Sequence, residues 1–352
     1  MIIFTFAAMK KNLFILSLAL TCLGVNAQES HLKNLKQLTF GGDNAEAYFS
    51  FDNNSLTMQV TNPKVGIPCD QIYLKNLNNP KDTSMHLLST GKGRTTCSFF
   101  MPGNKSILYA STHADADSCP PLPAPRKDRK YLWPVYSSFD IYVASLDGKI
   151  IKKLTNEPGY DAEATVSPNG KMIVFTSDRS GDLELYTMNI DGTNVKQITS
   201  GLGYDGGAFF SPDSKQLVFR ASRPTSEEDV TEYKDLLKQG LVAPTNMELY
   251  TCATDGSDLK QITKLGKANW APYFHPSGKK IIFASNHASD RGYDFQLYMI
   301  NTDGTGLKQI TEESNFNAFP MFSYDGKKLV FSSNRNNNGT RDTNVFIADW
   351  VE

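Results

Sequence analysis

The sequence runs to 352 residues with a formal net charge of −1, 40% hydrophobic and 21% charged residues, 25 glycines and 17 prolines. That balance belongs to a turn-rich globular chain able to bury a sizeable core, which excludes general disorder. It leaves no basic surplus for a nucleic-acid footprint, so no nucleic-acid partner is expected.

Met9-Lys10-Lys11 precedes an apolar run over 13–23, and Val25-Asn26-Ala27 then precedes Gln28. This charged, apolar, small-x-small order is that of a signal peptide over residues 1–27, with Met9 the expected start and 28–352 the mature domain. Leu20-Thr21 before Cys22 is a poor lipobox, so lipoprotein anchoring is the weaker alternative to a free periplasmic or secreted protein. No later segment reaches the roughly 18 apolar residues needed to span a bilayer. The cysteines after the leader, Cys69, Cys97, Cys119 and Cys252, lack C-x-x-C spacing, and an oxidising compartment permits disulfides among them.

Internal repeats organise the rest. Ser167-Pro168-Asn169-Gly170, Ser211-Pro212-Asp213-Ser214, His275-Pro276-Ser277-Gly278 and Ser323-Tyr324-Asp325-Gly326 each precede an apolar run, at 172–176, 216–220, 280–284 and 328–332. Such turns between β-rich runs specify a tight hairpin of strands A and B, because Gly or Asn accepts positive φ. Downstream, Leu185-Tyr186, Leu249-Tyr250 and Leu297-Tyr298 lead through Asp191-Gly192, Asp255-Gly256 and Asp303-Gly304 to Gln-Ile-Thr at 197–199, 261–263 and 309–311. Ile141-Tyr142, Asp147-Gly148 and Lys153-Leu154-Thr155 repeat this C–D hairpin. With two more degenerate units, strand A begins near 44, 95, 161, 205, 269 and 317, a period suited to propeller blades. The last unit ends at a strand C, Val345-Phe346-Ile347-Ala348, whereas Lys36-Gln37-Leu38-Thr39 is a strand D with no blade before it. Pairing the two removes both exposed edges.

The expected fold is therefore an all-β, six-bladed β-propeller whose ring is closed by an N-terminal strand completing the last blade. The run from Ser167 to Arg179, with the Leu-Tyr, Asp-Gly and Lys-Gln-Ile-Thr elements after it, resembles the repeat of TolB-like propeller proteins. The resemblance covers the mature chain and is strongest in units three to six. It implies a non-catalytic envelope scaffold that binds a protein or peptide partner. Similar blades also gate prolyl oligopeptidase-like enzymes and form some lyases, so fold alone does not assign function.

In a propeller, strand A lines the channel and the D–A and B–C loops share one face. Asn44, Thr95, Asp161, Asp205, Asn269 and Asn317 align at the start of strand A, and Glu46, Cys97, Glu163, Gly207, Ala271 and Phe319 form the next inward column. Glu46, Asp161, Glu163 and Asp205 would suit a cationic ligand, or calcium or another divalent cation, although no motif requires a cofactor. The end of strand B supplies Asn62, His113, Arg179, Arg223, His287 and Arg335. The preferred role of the carboxylates is to hydrogen-bond backbone at the blade junctions, and that of the Arg and His column is to donate to carbonyls or to acidic groups of the adjacent blade.

Two insertions are individual. Residues 115–134 form a Pro-rich loop tipped by Tyr131 and Trp133, a candidate lid or partner-docking loop that a disulfide from Cys119 to Cys69 or to Cys97 would pin. Residues 224–245 read as an amphipathic helix capped by Ser226, expected to pack on its own blade. Trp270 beside Asn269 suits stacking on a sugar or peptide ring, or equally packing at a blade junction. No nucleophile elbow, P-loop or dinucleotide fingerprint is present, so no catalytic residue is assigned. The alternative to a binding protein is a glycan-active lyase or hydrolase, metal-dependent or not, with its site at the channel mouth.

Overall fold

The serine of each Ser-Pro turn organises the hairpin that follows it. Ser167 Oγ donates to Asn169 Oδ1 (2.8 Å) and accepts from the Met172 amide (2.9 Å), while Gly170 takes φ 72°. Ser211 with Asp213 and Ser323 with Asp325 repeat this bonding, so local side chains satisfy the turn amides wherever the motif recurs. Strand B then runs between two neighbouring sheets with both faces covered, which is why Met172–Ser177 reads as an unbroken apolar run rather than an alternating one. Phe175, Phe219, Phe283 and Phe331 occupy one equivalent position of that strand, each fully buried and contributing about 2 kcal/mol of apolar burial.

The computed structural model describes residues 29–79, 81–124, 126 and 130–352; the leader expected over 1–27 lies outside them. Six four-stranded antiparallel sheets form the blades of a propeller. Blade 1 comprises Asp43–Phe49, Ser55–Asn62, Ile67–Asn76 and His86–Leu87, and blade 2 comprises Thr95–Phe100, Ser106–Ser111, Asp140–Ser145 and Ile150–Lys153. Blade 3 comprises Asp161–Val166, Met172–Ser177, Glu184–Asn189 and Lys196–Gln197, and blade 4 comprises Asp205–Phe210, Gln216–Ser222, Met247–Ala253 and Lys260–Gln261. Asn269–Phe274, Lys280–Ser285, Gln296–Asn301 and Lys308–Gln309 make blade 5. Each strand A starts within a residue of its expected position.

Blade 6 takes Asn317–Phe322, Lys328–Ser333 and Asn344–Trp350 from the chain's end and Leu32–Gln37 from its beginning. Gln37 lies opposite Phe346 and Leu32 opposite Trp350, so the closing strand starts earlier than expected. Thr39 follows it as a side-chain clasp, its hydroxyl accepting from the Val345 amide (2.9 Å) and donating to Asn344 Oδ1 (3.2 Å). Glu29 makes two charge-assisted bonds to Arg335 (2.9 and 3.0 Å) between almost fully buried side chains. The His31 ring stacks on Trp350 at 4.9 Å. The expected ring closure is present, and a buried ion pair reinforces it.

Removing residues 29–39 strips the edge from Asn344–Trp350 and leaves the Arg335 charge buried without Glu29. The expected outcome is a thermal midpoint lower by several degrees, with amide exchange in Asn344–Trp350 faster by about tenfold or more while blade 3 is unaffected. Unchanged exchange there would mean that the ring does not depend on this strand.

Candidate functional site

Strand A of every blade loses register with strand B at the same place, between Ala45 and Tyr48 in blade 1 and between the equivalent residues of the other five. One residue inside each break has left-handed backbone, with φ from 47° at Ala271 to 61° at Gly207. These residues are Glu46, Cys97, Glu163, Gly207, Ala271 and Phe319, the inward column of the repeat alignment. All six line one cavity of about 1190 Å³. A bulge adds a residue to one strand and re-aims its side chain, and here the propeller's symmetry repeats that around the channel.

The outer column behaves differently. Asn44, Thr95, Asp161, Asp205, Asn269 and Asn317 are all at most 1% exposed, so they do not form an open ring. Asp161 accepts two bonds from Arg179 (2.8 and 2.9 Å), and Asp205 is paired with Arg223 in the same way. Arg179 and Arg223 lie over Tyr186 and Tyr250, each at 5.1 Å. In blade 5, Ser285 donates to Asn269 (2.6 Å) and bonds His287 Nδ1 (2.9 Å), whose ring packs on Tyr298 at 4.5 Å. His113 repeats this with Ser111 (2.9 Å) and Tyr142 (4.4 Å). Burial pushes both histidines below the usual imidazole range. Arg179 and Arg223 therefore pair with Asp161 and Asp205 of their own blades rather than with acids of the adjacent blade, whereas Asn269 also donates to the Met247 carbonyl of blade 4 (2.8 Å), and none of these residues, nor His113 or His287, lines the cavity. The four carboxylates expected to gather a cation are split, leaving Glu46 and Glu163 at the cavity. Among the described residues no three His, Cys, Asp or Glu side chains assemble as a metal-ligand set.

Glu163 is the centre of a polar cluster that joins blades 3 and 4. It accepts from Tyr204 (2.7 Å), Thr176 (2.8 Å) and the Gly207 amide (2.9 Å), and it is ion-paired with Arg220. Burial pushes its carboxyl up, but the Arg220 charge and the hydrogen bonds from Tyr204 and Thr176 outweigh that and hold it below the usual range. Arg220 occupies the space that a side chain at 207 would fill, since a Cβ on Gly207 would lie 1.7 Å from its Nη1. A Cβ on Gly206 would likewise lie 2.4 Å from Glu163 Oε2.

Glu46 has no ion-pair partner among the described residues. Its polar neighbours are Tyr48, whose hydroxyl is 3.5 Å away, and the Cys97 thiol. Burial, opposed by the Cys97 hydrogen bond and reinforced by repulsion from Glu163, pushes its carboxyl up to about 7. Burial and the two glutamates raise the Cys97 thiol in turn, so it stays neutral.

The two insertions pair with each other above this cavity. Trp133–Pro134 and Leu241–Val242 form an antiparallel ribbon, extended by a bond from the Val135 amide to the Gly240 carbonyl (2.7 Å). The helix Glu227–Lys238 is capped by Ser226 as expected, but it is not confined to its own blade. Its Tyr233 donates to Asp182 of blade 3, and its Glu232 receives Lys130 of the other insertion (2.7 Å). Of the two disulfides left open by the sequence, Cys69–Cys119 is the one formed, tying the Pro-rich loop to strand C of blade 1. Cys97 and Cys252 are free. Trp133 packs 5.2 Å from Trp270, with its ring against the Arg220 guanidinium at 5.1 Å, and Trp270 donates to the Pro244 carbonyl (2.9 Å). Leu122, Tyr131 and Tyr293 are mostly exposed on the cavity lining.

Arg220, Tyr204 and Gly206 are the site residues that sequence reasoning missed, and the role of Gly207 in making room for Arg220 was missed with them. The signal for them was a single arginine ending the apolar run of Gln216–Ser222, paired with Gly206-Gly207 where other blades carry side chains.

The TolB beta propeller domain family matches residues 136–236. Among solved structures, a putative TolB from Agrobacterium tumefaciens is 18% identical with a TM-score of 0.59, over 90% of this chain and 97% of that one. TolB from Acinetobacter baumannii is also 18% identical, with a TM-score of 0.54 over 88% of this chain and 64% of its own. An oligogalacturonate lyase from Vibrio parahaemolyticus is 13% identical with a TM-score of 0.51, over 90% and 93% of the two chains. No curated protein sequence matches the chain. Identities this low establish the fold alone. Among the described residues no helix is long and apolar enough to cross a membrane.

Two outcomes follow from the cluster. Gly207→Ala forces Arg220 out of its slot and separates a buried ion pair, which should lower the unfolding free energy by about 3 kcal/mol in a urea titration; a loss under about 1 kcal/mol would contradict the packing. Glu46 holds its proton more tightly folded than unfolded, so its contribution is complete below its ordinary pKa of 4.5 and is lost as pH rises through about 7. Relative to Glu46→Gln, the wild type should therefore lose about 3 kcal/mol between pH 4 and pH 8. A pH-independent difference would place Glu46 in water.

Proposed function

We propose that this chain, a TolB-like six-bladed β-propeller, is a non-catalytic binding protein of the periplasm or extracellular space that takes a peptide segment of a protein partner into its capped cavity. The observation that carries the reading is the cavity itself. Its volume of about 1190 Å³ lies at or above the roughly 300–1,000 Å³ of small-molecule sites, room for several side chains of an extended segment. Its walls include Trp133, Trp270 and Tyr204, residue types that supply large contact area at low entropic cost. Exposed Leu122, Tyr131 and Tyr293 give a partner apolar purchase at the opening.

The cap supports a role in recognition because it belongs to two blades alone and is held by means the repeat does not use. A disulfide, a strand pair and an ion pair to Glu232 fix it in place, the pre-organisation that lowers the entropic cost of binding. The leader-like segment and the oxidised Cys69–Cys119 pair support placement outside the cytosol.

One observation favours a second reading, a glycan-active lyase or hydrolase: the Glu46 carboxyl pushed up to about 7, the range of a general acid near neutrality. Glu163 beside it is committed to Arg220, and among the described residues neither His113 nor His287 lines the cavity, which lends this reading less support. The binding reading has the stronger support.

A pool of random nonapeptides offered to immobilised protein separates the two. Wild type should enrich a defined subset, and Trp133→Ala with Trp270→Ala should weaken that enrichment by about tenfold or more while the thermal transition remains cooperative. No enrichment, together with reducing-end release from a panel of neutral and acidic glycans that Glu46→Gln abolishes, would overturn the binding reading in favour of the enzyme.

A further inference from the structure

The charge of the cavity does not balance. Of the acids lining it, Asp70 is paired with Arg94 and Glu163 with Arg220. The cations of the cap turn to the helix, Lys130 at 2.7 Å and Arg126 at 3.8 Å from Glu232. Asp43 and Glu46, both on strand A of blade 1, line the same cavity with no salt-bridge partner among the described residues. Asp43 faces further acids, Asp342 and Asp70, which add to burial in raising its carboxyl. Two acids with no salt-bridge partner among the described residues thus share a cavity with the aromatic walls.

We infer that the segment taken into this cavity carries a basic side chain whose cationic head sits against Glu46, an inference that rests on the peptide-binding reading above. The walls suit that ligand along its whole length. A lysine or arginine stem packs on apolar and aromatic surface while its head seeks a carboxylate, and ring faces attract the cation as well. A segment with an acidic side chain would bring like charge against Asp43 and Glu46, a means of rejecting it. The left-handed bulge at Glu46 makes the contact possible, because it turns this carboxylate to the cavity rather than into the blade junction where Asp161 and Asp205 are spent.

Binding is then linked to protons. The groups facing Glu46 are Tyr48, Cys97, Glu163, Arg220 and Asp70. Glu163 and Asp70 are held as ion pairs and the thiol is neutral, so Glu46 is the group that titrates near neutrality. A basic ligand stabilises its ionised form and should bind more tightly as pH rises through about 7.

The test uses the full mature chain and three nonapeptide pools with random flanks and a fixed central lysine, norleucine or glutamate, with spermidine as a free polyamine. Affinities are read by calorimetry at pH 6 and pH 8. The lysine pool should bind at least about tenfold more tightly than the norleucine pool at pH 8, and the advantage should shrink by about tenfold at pH 6. Glu46→Gln should remove the advantage, so that lysine and norleucine pools bind alike at both pH values. Equal binding of lysine and norleucine pools would overturn the inference while leaving peptide binding intact, and binding by no pool would overturn both. Tighter binding of spermidine than of the lysine pool would assign the cavity to a small polyamine and overturn the peptide as its source.

Discussion

The left-handed residue in strand A is the constraint on which the channel depends. At five of its six positions the residue is not glycine, and each holds a backbone that costs an L-residue about 1–2 kcal/mol. Pairing on both sides of the bulge and burial of the rest of strand A offset that cost, since the register recovers at once with partners such as Thr165 opposite Val174. In return six side chains turn to the axis. What each blade places at that position decides what the cavity is.

Blade 1 places a carboxylate, blade 2 a thiol, blade 3 a carboxylate, blade 4 nothing, and blades 5 and 6 apolar groups. The empty place in blade 4 matters as much as the occupied ones. Because Gly207 has no side chain, Arg220 can reach in from strand B, neutralise Glu163 and lie beneath Trp133. The ion pair links two blades to the cap, and it leaves Glu46 as the carboxylate of the inward column without an ion-pair partner among the described residues. Buried pairs of this kind add little to net stability but are costly to break. Their clearer consequence here is to set which carboxylate stays available.

Much of the architecture was legible in the sequence because it is carried by local signals. Turn motifs place their own hydrogen bonds within five residues, as Ser167 does with Asn169 and Met172, and their recurrence counts the blades. The orphan strands at the two ends announced the closure, and the cap of the helix at Ser226 followed from its first turn. The inward column was found by alignment, but its left-handed backbone was not, because nothing in Glu46 or Phe319 as residue types favours that conformation. Arg220 and the ribbon joining the two insertions were missed for a different reason. Their partners lie 57 residues away for Arg220 and Glu163, and over a hundred for Trp133 and Val242, distances at which only the folded ring brings them together. The choice of Cys69 over Cys97 for Cys119 belongs to the same class.

The proposed binding site is the space beneath the cap, with its open acid deciding what enters. A crystal structure with a lysine-centred nonapeptide tests this most directly. The lysine amine should lie within hydrogen-bond distance of the Glu46 carboxylate, with the flanking residues against Trp133 and Trp270. Peptide bound on the outer strands or on the opposite face of the ring, with the cavity unoccupied, would contradict it.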